Sequence, residues 1–313
     1  METLESIKKH KILQVEIESK EKNIFEEEKE QKKTFKKDYT KALENSKEIM
    51  NSLKNGKIEA KKIEDTINMT LNNLEKNEDI LLSLLEAQKE KQYIYQHSLN
   101  TMAIALIIGR TLNYSEEKLS TLGKGAFLHD IGMLDIDEKI LSKKGKLTEE
   151  EKEKVERHTI YGAEKVKVLN DEEIMKIVSM HHERLDGSGY PNGLKGEEIS
   201  EGARIVAVAD LYAALTEYRE YRDKFYAYDA MKMVMEASAE KLDFRITKKF
   251  LTKMPIYPIN SIVELNTGEI GKVVKANENP FRPIIDKEEN GKEIRIDLKE
   301  KKNLTKYIKG IKK

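Results

Sequence analysis

The chain has 313 residues, of which 38% are hydrophobic and 36% are charged, and it contains no cysteine. Disulfides, thiolate metal sites and cysteine nucleophiles are therefore excluded. Lys plus Arg and Asp plus Glu both number 57, so no overall charge attracts nucleic acid and we expect no DNA partner. The longest strongly apolar stretch, 102–108, is too short to span a bilayer, and the N-terminus lacks a signal-peptide core. These features predict a cytoplasmic protein with no membrane span.

Residues 1–90 form the first of four predicted regions and are dense in Lys and Glu. Apolar residues recur at helical spacing, as in Ile63, Ile67 and Leu71, which predicts amphipathic helices. A break is expected at Asn55–Gly56. We interpret this region as a helical hairpin or bundle that forms a homodimer or receives a signal.

Residues 91–254 form the second region, which holds five of the six histidines and has a helical pattern. Ser115 is a predicted N-cap, and Thr148 with Glu151 forms a predicted capping box ahead of another helix. The loop 186–196 contains five glycine or proline positions that break this pattern. Loops of this kind inside a helical domain often serve a site.

From residue 255 the pattern changes to short strands. The segments 261–265 and 269–274 flank Asn266–Gly268 and predict a β-hairpin, and 283–285 and 293–296 predict two more strands. Residues 255–298 are therefore interpreted as a small β module. Residues 299–313 contain seven Lys and one Glu, which predicts a solvated and disordered basic tail.

Seven acidic or histidine side chains of the central region are candidate metal ligands. They are His97, His129, Asp130, His158, His181, His182 and Asp210. Asp210 lies in a nearly continuous apolar run, where a lone buried carboxylate costs several kcal/mol unless a cation is present. Any one of these histidines alone would be interpreted as a hydrogen-bonded core residue. Because five of them cluster in one region, that interpretation is disfavoured.

The ligand types indicate which metals are expected. Imidazole and carboxylate without thiolate suit Mn, Fe, Zn or Ni. Seven ligands are too many for one ion, which predicts two ions that share a bridging carboxylate. Asp130, directly after His129, is the candidate bridge.

The dipeptide His129–Asp130 and the run HHERLDGSGYP at 181–191 resemble the HD-GYP family of metal-dependent phosphohydrolases. The resemblance covers residues from about 93 to about 250. It implies a mainly α fold, an HD-type helical bundle flanked by the N-terminal helices and the small C-terminal β module. It also implies a phosphodiesterase that hydrolyses cyclic di-GMP to linear pGpG, GMP or both.

The same resemblance implies a role for each ligand. The first ion would be held by His97, His129, Asp130 and Asp210, and the second by His158, His181 and His182, with Asp130 bridging and a metal-bridging hydroxide as nucleophile. Family members with a third metal carry a Glu at the position of Tyr93, so two divalent ions are expected here. Fe or Mn is preferred, with Zn or Ni as alternatives.

By analogy with the family, Arg219 and Arg222 bind substrate phosphate through their guanidinium groups; otherwise they are surface arginines. Gly189 and Tyr190 would contact substrate and shape the loop over the site, with Tyr190 stacking on a base or only packing the turn. A signalling protein that docks on this loop is a further expected partner.

Three positions depart from the family pattern. Met133 replaces a Lys that would neutralise charge on the phosphate, Ala213 replaces an acidic residue, and Glu220 lies between the two arginines. Lys124 or Lys139 could substitute for the missing cation. The alternatives to a cyclic di-GMP phosphodiesterase are therefore a weakly active or inactive cyclic di-GMP receptor or docking module, and a hydrolase of another cyclic dinucleotide or nucleotide.

Overall fold

The structure is a computed structural model, and the residues that it describes are 33–34, 37–53, 56–57, 59–76, 93–143, 145–217, 225, 227–253, 256–257, 261–277, 279, 281–289 and 291–312. The chain divides into two compact units, Met1–Lys41 and Ala42–Lys313. In the first unit, residues 33–34 and 37–41 are helical. All elements named below belong to the second unit. The boundaries near residues 90, 254 and 298 stay predictions.

Two helices open the second unit. Residues 42–53 form α1 and Ala60–Lys76 form α2, and Gly56 between them has a φ of +71°, which glycine adopts without strain. This agrees with the predicted break. Ile67 on the buried face of α2 lies against Gly123, where an added Cβ would be 3.2 Å from the isoleucine side chain.

The central region is helical, as predicted. Its helices are α3 (Tyr93–Thr111), α4 (Glu116–Leu128), α5 (Glu138–Leu141), α6 (Glu149–Glu156), α7 (His158–Val166), α8 (Glu172–Met180), α9 (Glu201–Thr216), α10 (Ala227–Ala237) and α11 (Phe244–Lys253). Short 3-10 turns occur at Ile131–Asp135, Lys167–Leu169 and Gly196–Glu198. Of the helices that the structure describes, none combines the length and the apolar character needed to cross a membrane.

Helices α3 and α9 lie at the centre of the core. Residues 101–109 of α3 and 205–210 of α9 are all buried, and α3 packs against α4, α9 and α11. A helix that is apolar on all sides has to be buried. The polar side chains that these two helices carry, His97 and Asp210 among them, are therefore held inside the core.

Side-chain caps begin several of these helices. Ser115 accepts a hydrogen bond from the Lys118 backbone N–H at the start of α4, and Thr148 and Glu151 form a reciprocal capping box at the start of α6. Both predicted caps are confirmed. Each cap satisfies backbone N–H groups that have no partner inside the helix.

A five-stranded antiparallel sheet follows the helices. Its strands are β1 (Ile262–Leu265), β2 (Ile270–Lys275), β3 (Ile284–Glu289), β4 (Lys292–Asp297) and β5 (Ile308–Ile311), in the order β4-β3-β2-β1-β5. The first four strands contain the four predicted strand segments or most of each. The mainly α fold with a small C-terminal β module is therefore confirmed.

The predicted disorder of the basic tail is wrong. Its residues 308–311 form β5, which pairs with β1 and covers an edge of the sheet that would otherwise present unpaired backbone groups. Ile308 is buried in this strand, and Lys306 forms an ion pair with Glu269 at 2.7 Å. The prediction weighed the high Lys content of the tail and overlooked Ile308, the apolar residue whose burial holds the strand in the sheet.

Gly132 lies where the 3-10 turn after α4 meets α7. A Cβ at this position would lie 1.9 Å from the carbonyl oxygen of His158 and 2.6 Å from the backbone nitrogen of Gly162. We expect Gly132→Ala to lower the free energy of unfolding by roughly 3 kcal/mol or more, because backbone atoms have to move apart. Urea denaturation measures this loss.

The matched control is Gly310→Ala, since a Cβ at Gly310 meets no atom within 4 Å. We expect it to change the free energy of unfolding by less than about 0.5 kcal/mol. Equal losses in the two variants would contradict the close approach at Gly132.

Candidate metal centre

The structure brings all seven predicted ligands together in two groups. In each group the candidate ligand atoms all lie within 4.8 Å of one another. The first group is His97, His129 and Asp210, and the second is Asp130, His158, His181 and His182.

Helix ends supply most of these side chains. Helix α4 ends at Leu128, directly before His129 and Asp130, and α8 ends before the His181–His182 pair. His158 is the first residue of α7. Side chains at helix ends can point along the axis into a space where several helices converge, whereas the ligands on α3 and α9 project sideways from mid-helix.

Three histidines share one hydrogen-bonding arrangement. Nδ1 of His129, of His158 and of His181 lies 2.7–2.9 Å from the backbone carbonyl oxygen three residues earlier. A carbonyl only accepts, so each Nδ1 carries a proton, and in the neutral form of each ring Nε2 keeps its lone pair. The Nε2 of His129 is buried without a hydrogen-bond partner, as expected for an atom whose partner is a cation.

Asp130 lies between the two groups. Its Oδ1 is 3.3 Å from Nε2 of His158 and 3.7 Å from Nε2 of His181. Its Oδ2 is 3.4 Å from Nε2 of His129 and 3.7 Å from Nε2 of His97. Each oxygen thus faces the nitrogens of one group, which is the geometry that a bridging carboxylate requires.

Asp210 also faces both groups, but less symmetrically. Its Oδ1 is 3.0 Å from Nε2 of His97 and 4.0 Å from Nε2 of His129. Its Oδ2 is 4.0 Å from Nδ1 of His182. Asp210 therefore belongs mainly to the first group.

The electrostatics keep the carboxylates charged and some of the imidazoles neutral. Burial opposes the charged form of Asp130, but His129 and the other imidazoles hold the pKa of this carboxyl well below its usual range. Burial lowers the pKa of His181 to about 4 and that of His182 well below its ordinary value. Burial acts in the same direction on His158, but Asp130 outweighs it and raises the pKa of this imidazole. At neutral pH, the two adjacent histidines are available as neutral ligands.

The donors in this cluster fit divalent metal ions. Imidazole nitrogens and carboxylate oxygens converge in a buried space, and each group supplies at least three donors. Without cations, the carboxylates of half-buried Asp130 and buried Asp210 would repel each other. Divalent cations held by the two groups would remove this repulsion.

Two residues next to the cluster were not predicted from the sequence. Glu217 is buried, and its Oε2 lies 2.8 Å from Nδ1 of His97. Asn100 Nδ2 donates to Oε1 of the same carboxylate at 2.7 Å. The only signal in the sequence was an acidic residue directly after a long apolar helix.

A second buried glutamate holds the loop that follows the His pair. Glu183 is 2% exposed, and its two carboxylate oxygens accept hydrogen bonds from the backbone N–H groups of Asn192, at 2.8 Å, and Leu194, at 3.0 Å. Gly189 lies so close to this segment that a Cβ would be 2.4 Å from the Cα of Glu183. The loop 186–196 is therefore held against the residues that directly follow α8.

Tyr190 packs against the ligands. Its ring centroid is 4.7 Å from that of His182, with an angle of 30° between the planes, and 6.3 Å from that of His158. Burial raises the pKa of Tyr190, so the phenol stays protonated. One ring face thus packs on His182, a candidate ligand, and the ring is half-buried.

The remaining residues that the sequence singled out for substrate binding lie in different places. Arg219 and Arg222, with Glu220 between them, lie outside the described residues. Met133 is half-buried in the 3-10 turn after Asp130. Lys124, a predicted substitute for the missing cation, is paired instead with Glu64 on α2 at 2.7 Å, and Lys139 is exposed on α5.

The chain matches the HD domain family over residues 63–246. It is 35% identical over 199 residues to a cyclic di-GMP phosphodiesterase of Pseudomonas aeruginosa, covering 62% of this chain and 47% of that protein. It is 33% identical over 180 residues to 3'3'-cGAMP-specific phosphodiesterase 1 of Vibrio cholerae, covering 57% of this chain and 42% of that protein. The chain therefore spans about half the length, 47% and 42%, of the curated relatives it matches.

A solved structure has a related fold. An HDG"Y"P protein from Bdellovibrio bacteriovorus superposes with a TM-score of 0.54 at 19% identity, covering 67% of this chain and 68% of that one. At this identity the likeness concerns the fold alone. It agrees with the helical arrangement around the two ligand groups.

The role of Glu183 can be tested by removing its charge. In Glu183→Gln, the amide NH2 faces a backbone N–H that then has no acceptor. Leaving a buried donor unpaired costs about 1–3 kcal/mol. We therefore expect a loss of about 2 kcal/mol in the free energy of unfolding and faster hydrogen exchange in residues 185–196.

Glu198→Gln is the matched control in the same loop, because Glu198 is exposed and accepts from the Lys195 backbone N–H at 2.7 Å. We expect stability and exchange in this variant close to those of the native chain. Unchanged exchange in Glu183→Gln would show that the loop does not depend on the carboxylate.

Proposed function

The chain belongs to the HD domain family, and on that premise we propose that it is a metal-dependent phosphodiesterase that hydrolyses cyclic di-GMP to linear pGpG, GMP or both. The observation that carries the proposal is the position of Asp130 between the two ligand groups, with one carboxylate oxygen toward each. Two cations that share a carboxylate are typical of sites that cleave phosphate esters by in-line displacement.

We assign the ligands as the resemblance implies. His97, His129, Asp130 and Asp210 would hold one divalent ion, and His158, His181 and His182 the other, with Asp130 shared. Fe or Mn is the preferred metal, and Zn or Ni is the alternative, since the site contains no thiolate. When bound, the two ions would activate water and neutralise charge on the phosphate.

The protein side chains would prepare this chemistry. The hydrogen bonds from Nδ1 of His129, His158 and His181 to backbone carbonyls hold the three rings with Nε2 directed inward, toward the proposed ions. Asp130 remains ionised because the imidazoles lower its pKa. Geometry and charge are thus prepared before substrate arrives.

The substrate contacts are proposed from the sequence motifs. Gly189 and Tyr190 lie in the loop beside the ligands, and the free part of the tyrosine ring would contact a base. Arg219 and Arg222 would bind phosphate, since bidentate guanidinium contacts suit that group. A homodimer through residues 1–90 and a signalling protein bound to the loop remain predictions.

A second substrate is favoured by one observation. The relative named as specific for 3'3'-cGAMP is 33% identical to this chain, nearly as similar as the cyclic di-GMP phosphodiesterase at 35%. A hybrid cyclic dinucleotide is therefore the alternative substrate. Parallel assays with both dinucleotides decide between them by the ratio of kcat/KM.

Asp130→Asn tests the proposed dinuclear centre. Asparagine replaces one bridging oxygen with an NH2 group that does not bind a cation and removes the charge from the other oxygen, so we expect fewer than two bound ions per chain and a loss of at least about 1000-fold in turnover. Metal analysis after anaerobic purification and chromatography of cyclic di-GMP over time measure both.

The control is Asp135→Asn, which removes a nearby carboxylate that pairs with Lys165 at 3.0 Å and is exposed. We expect it to retain two ions and full turnover. The proposal fails if the native chain binds no metal. If the native chain binds two ions but leaves both cyclic dinucleotides intact, hydrolysis of these substrates is excluded, and the receptor becomes the favoured function.

Met133→Lys separates weak catalysis from a receptor function. Met133 follows Asp130 by three residues in the 3-10 turn, and a cation there would stabilise negative charge that develops on the phosphate. We expect turnover to rise by roughly tenfold or more. Met133→Leu, which adds no charge, is the control. An unchanged rate with intact cyclic di-GMP binding would favour the receptor.

A further inference from the structure

The outer nitrogen of His97 has a different partner from those of the three histidines described above. Nδ1 of His129, His158 and His181 contacts a backbone carbonyl, whereas Nδ1 of His97 contacts the carboxylate of Glu217 at 2.8 Å. A carboxylate accepts a stronger hydrogen bond than a carbonyl, because it carries a charge. His97 is therefore held by a stronger partner than these three.

The carboxylate of Glu217 is itself fixed in place. It is 1% exposed, and its two oxygens have separate partners, Nδ1 of His97 and Nδ2 of Asn100 at 2.7 Å. His97 and Asn100 are also buried, at 2% and 1%. A buried carboxylate with two short hydrogen bonds has little freedom to rotate away from the imidazole.

The helix geometry explains this arrangement. Asp210 and Glu217 are seven residues apart, two helical turns, and so lie on the same side of α9 and its C-terminal cap. Glu217 is held there because its backbone N–H donates to the Ala213 carbonyl at 3.0 Å. His97 on α3 lies between them, with Nε2 toward Asp210 and Nδ1 toward Glu217.

We propose that Glu217 is a positioning residue that fixes His97 as the Nδ1–H tautomer, orients its Nε2 and strengthens it as a metal ligand. Asn100 keeps the carboxylate in place. This inference rests on the proposed metal centre, and it concerns the group of His97, His129 and Asp210. Partners of this kind on ligand histidines typically change metal affinity by 10- to 100-fold.

The test is a thermodynamic cycle with Mn²⁺ as the probe. The affinities of both ions are measured by chelator competition in the native chain, in Glu217→Gln, in His97→Ala and in the double variant. We expect Glu217→Gln to weaken one ion by roughly 10- to 100-fold and to leave the other nearly unchanged. In the His97→Ala background, the same substitution should have little further effect, because the two residues act as a unit.

Asp243→Asn is the control for a general loss of stability. Asp243 is a buried carboxylate that caps α11 and pairs with Arg204 at 3.0 Å, and it does not contact any of the seven ligands in the contacts that the structure describes. We expect this variant to melt earlier but to bind both ions as the native chain does. Asn100→Ala, as a second variant, should weaken the same ion as Glu217→Gln but less strongly.

Three outcomes would overturn the inference. They are unchanged affinities in Glu217→Gln, an equal effect of that substitution with and without His97, and a parallel loss of both ions in step with the melting temperature of the metal-free protein. If the native chain binds no Mn²⁺, the proposed metal centre itself is wrong. If it binds Mn²⁺ but gives one of these three outcomes, only the role of Glu217 is wrong.

Discussion

The constraint on which the rest of the structure depends is the burial of negative charge. Asp210 is buried on α9, in the apolar core that α9 forms with α3, and Asp130 is half-buried directly after α4. Moving a lone carboxylate into such a place costs several kcal/mol, and two close together cost more. The imidazoles offset this cost at Asp130, because they hold the pKa of its carboxyl well below its usual range, although burial favours the neutral form of His181. The helices thus bring the histidines and the carboxylates together as one cluster that fits divalent cations.

The positions at which the helices end bring the charged and histidine side chains together. The ends of α4 and α8 supply the His–Asp and His–His pairs, and close contacts at Gly132 and Gly189 bring the neighbouring backbone within reach. Each of these glycines lies where any side chain would meet backbone atoms. Packing and ligand geometry are thus two aspects of one arrangement, because separating α7 from the turn after α4 would also separate His158 from Asp130.

The sequence allowed the fold class, both caps and the identity of the clustered side chains to be predicted, because periodicity, cap residues and the GYP motif are local signals. It did not reveal Glu217 or the anchoring role of Glu183, since each depends on which backbone or ring lies opposite in three dimensions. Strand β5 was missed for a related reason. Its Lys-rich composition predicts disorder, whereas its order depends on pairing with the edge of β1 and on the burial of Ile308.

The departure at Ala213 has a different meaning once the helix is seen in three dimensions. From the sequence, an alanine three residues after Asp210 indicates a lost carboxylate. In the structure, the Ala213 carbonyl accepts from the backbone N–H of Glu217, so the last turn of α9 delivers a carboxylate to His97 from one turn further along the chain. The absence of an acidic residue at Ala213 is therefore compatible with a carboxylate beside His97, because Glu217 on the next turn provides one. By contrast, Lys124, one of the two lysines expected to substitute for a cation at Met133, pairs with Glu64 instead, and the other, Lys139, is exposed.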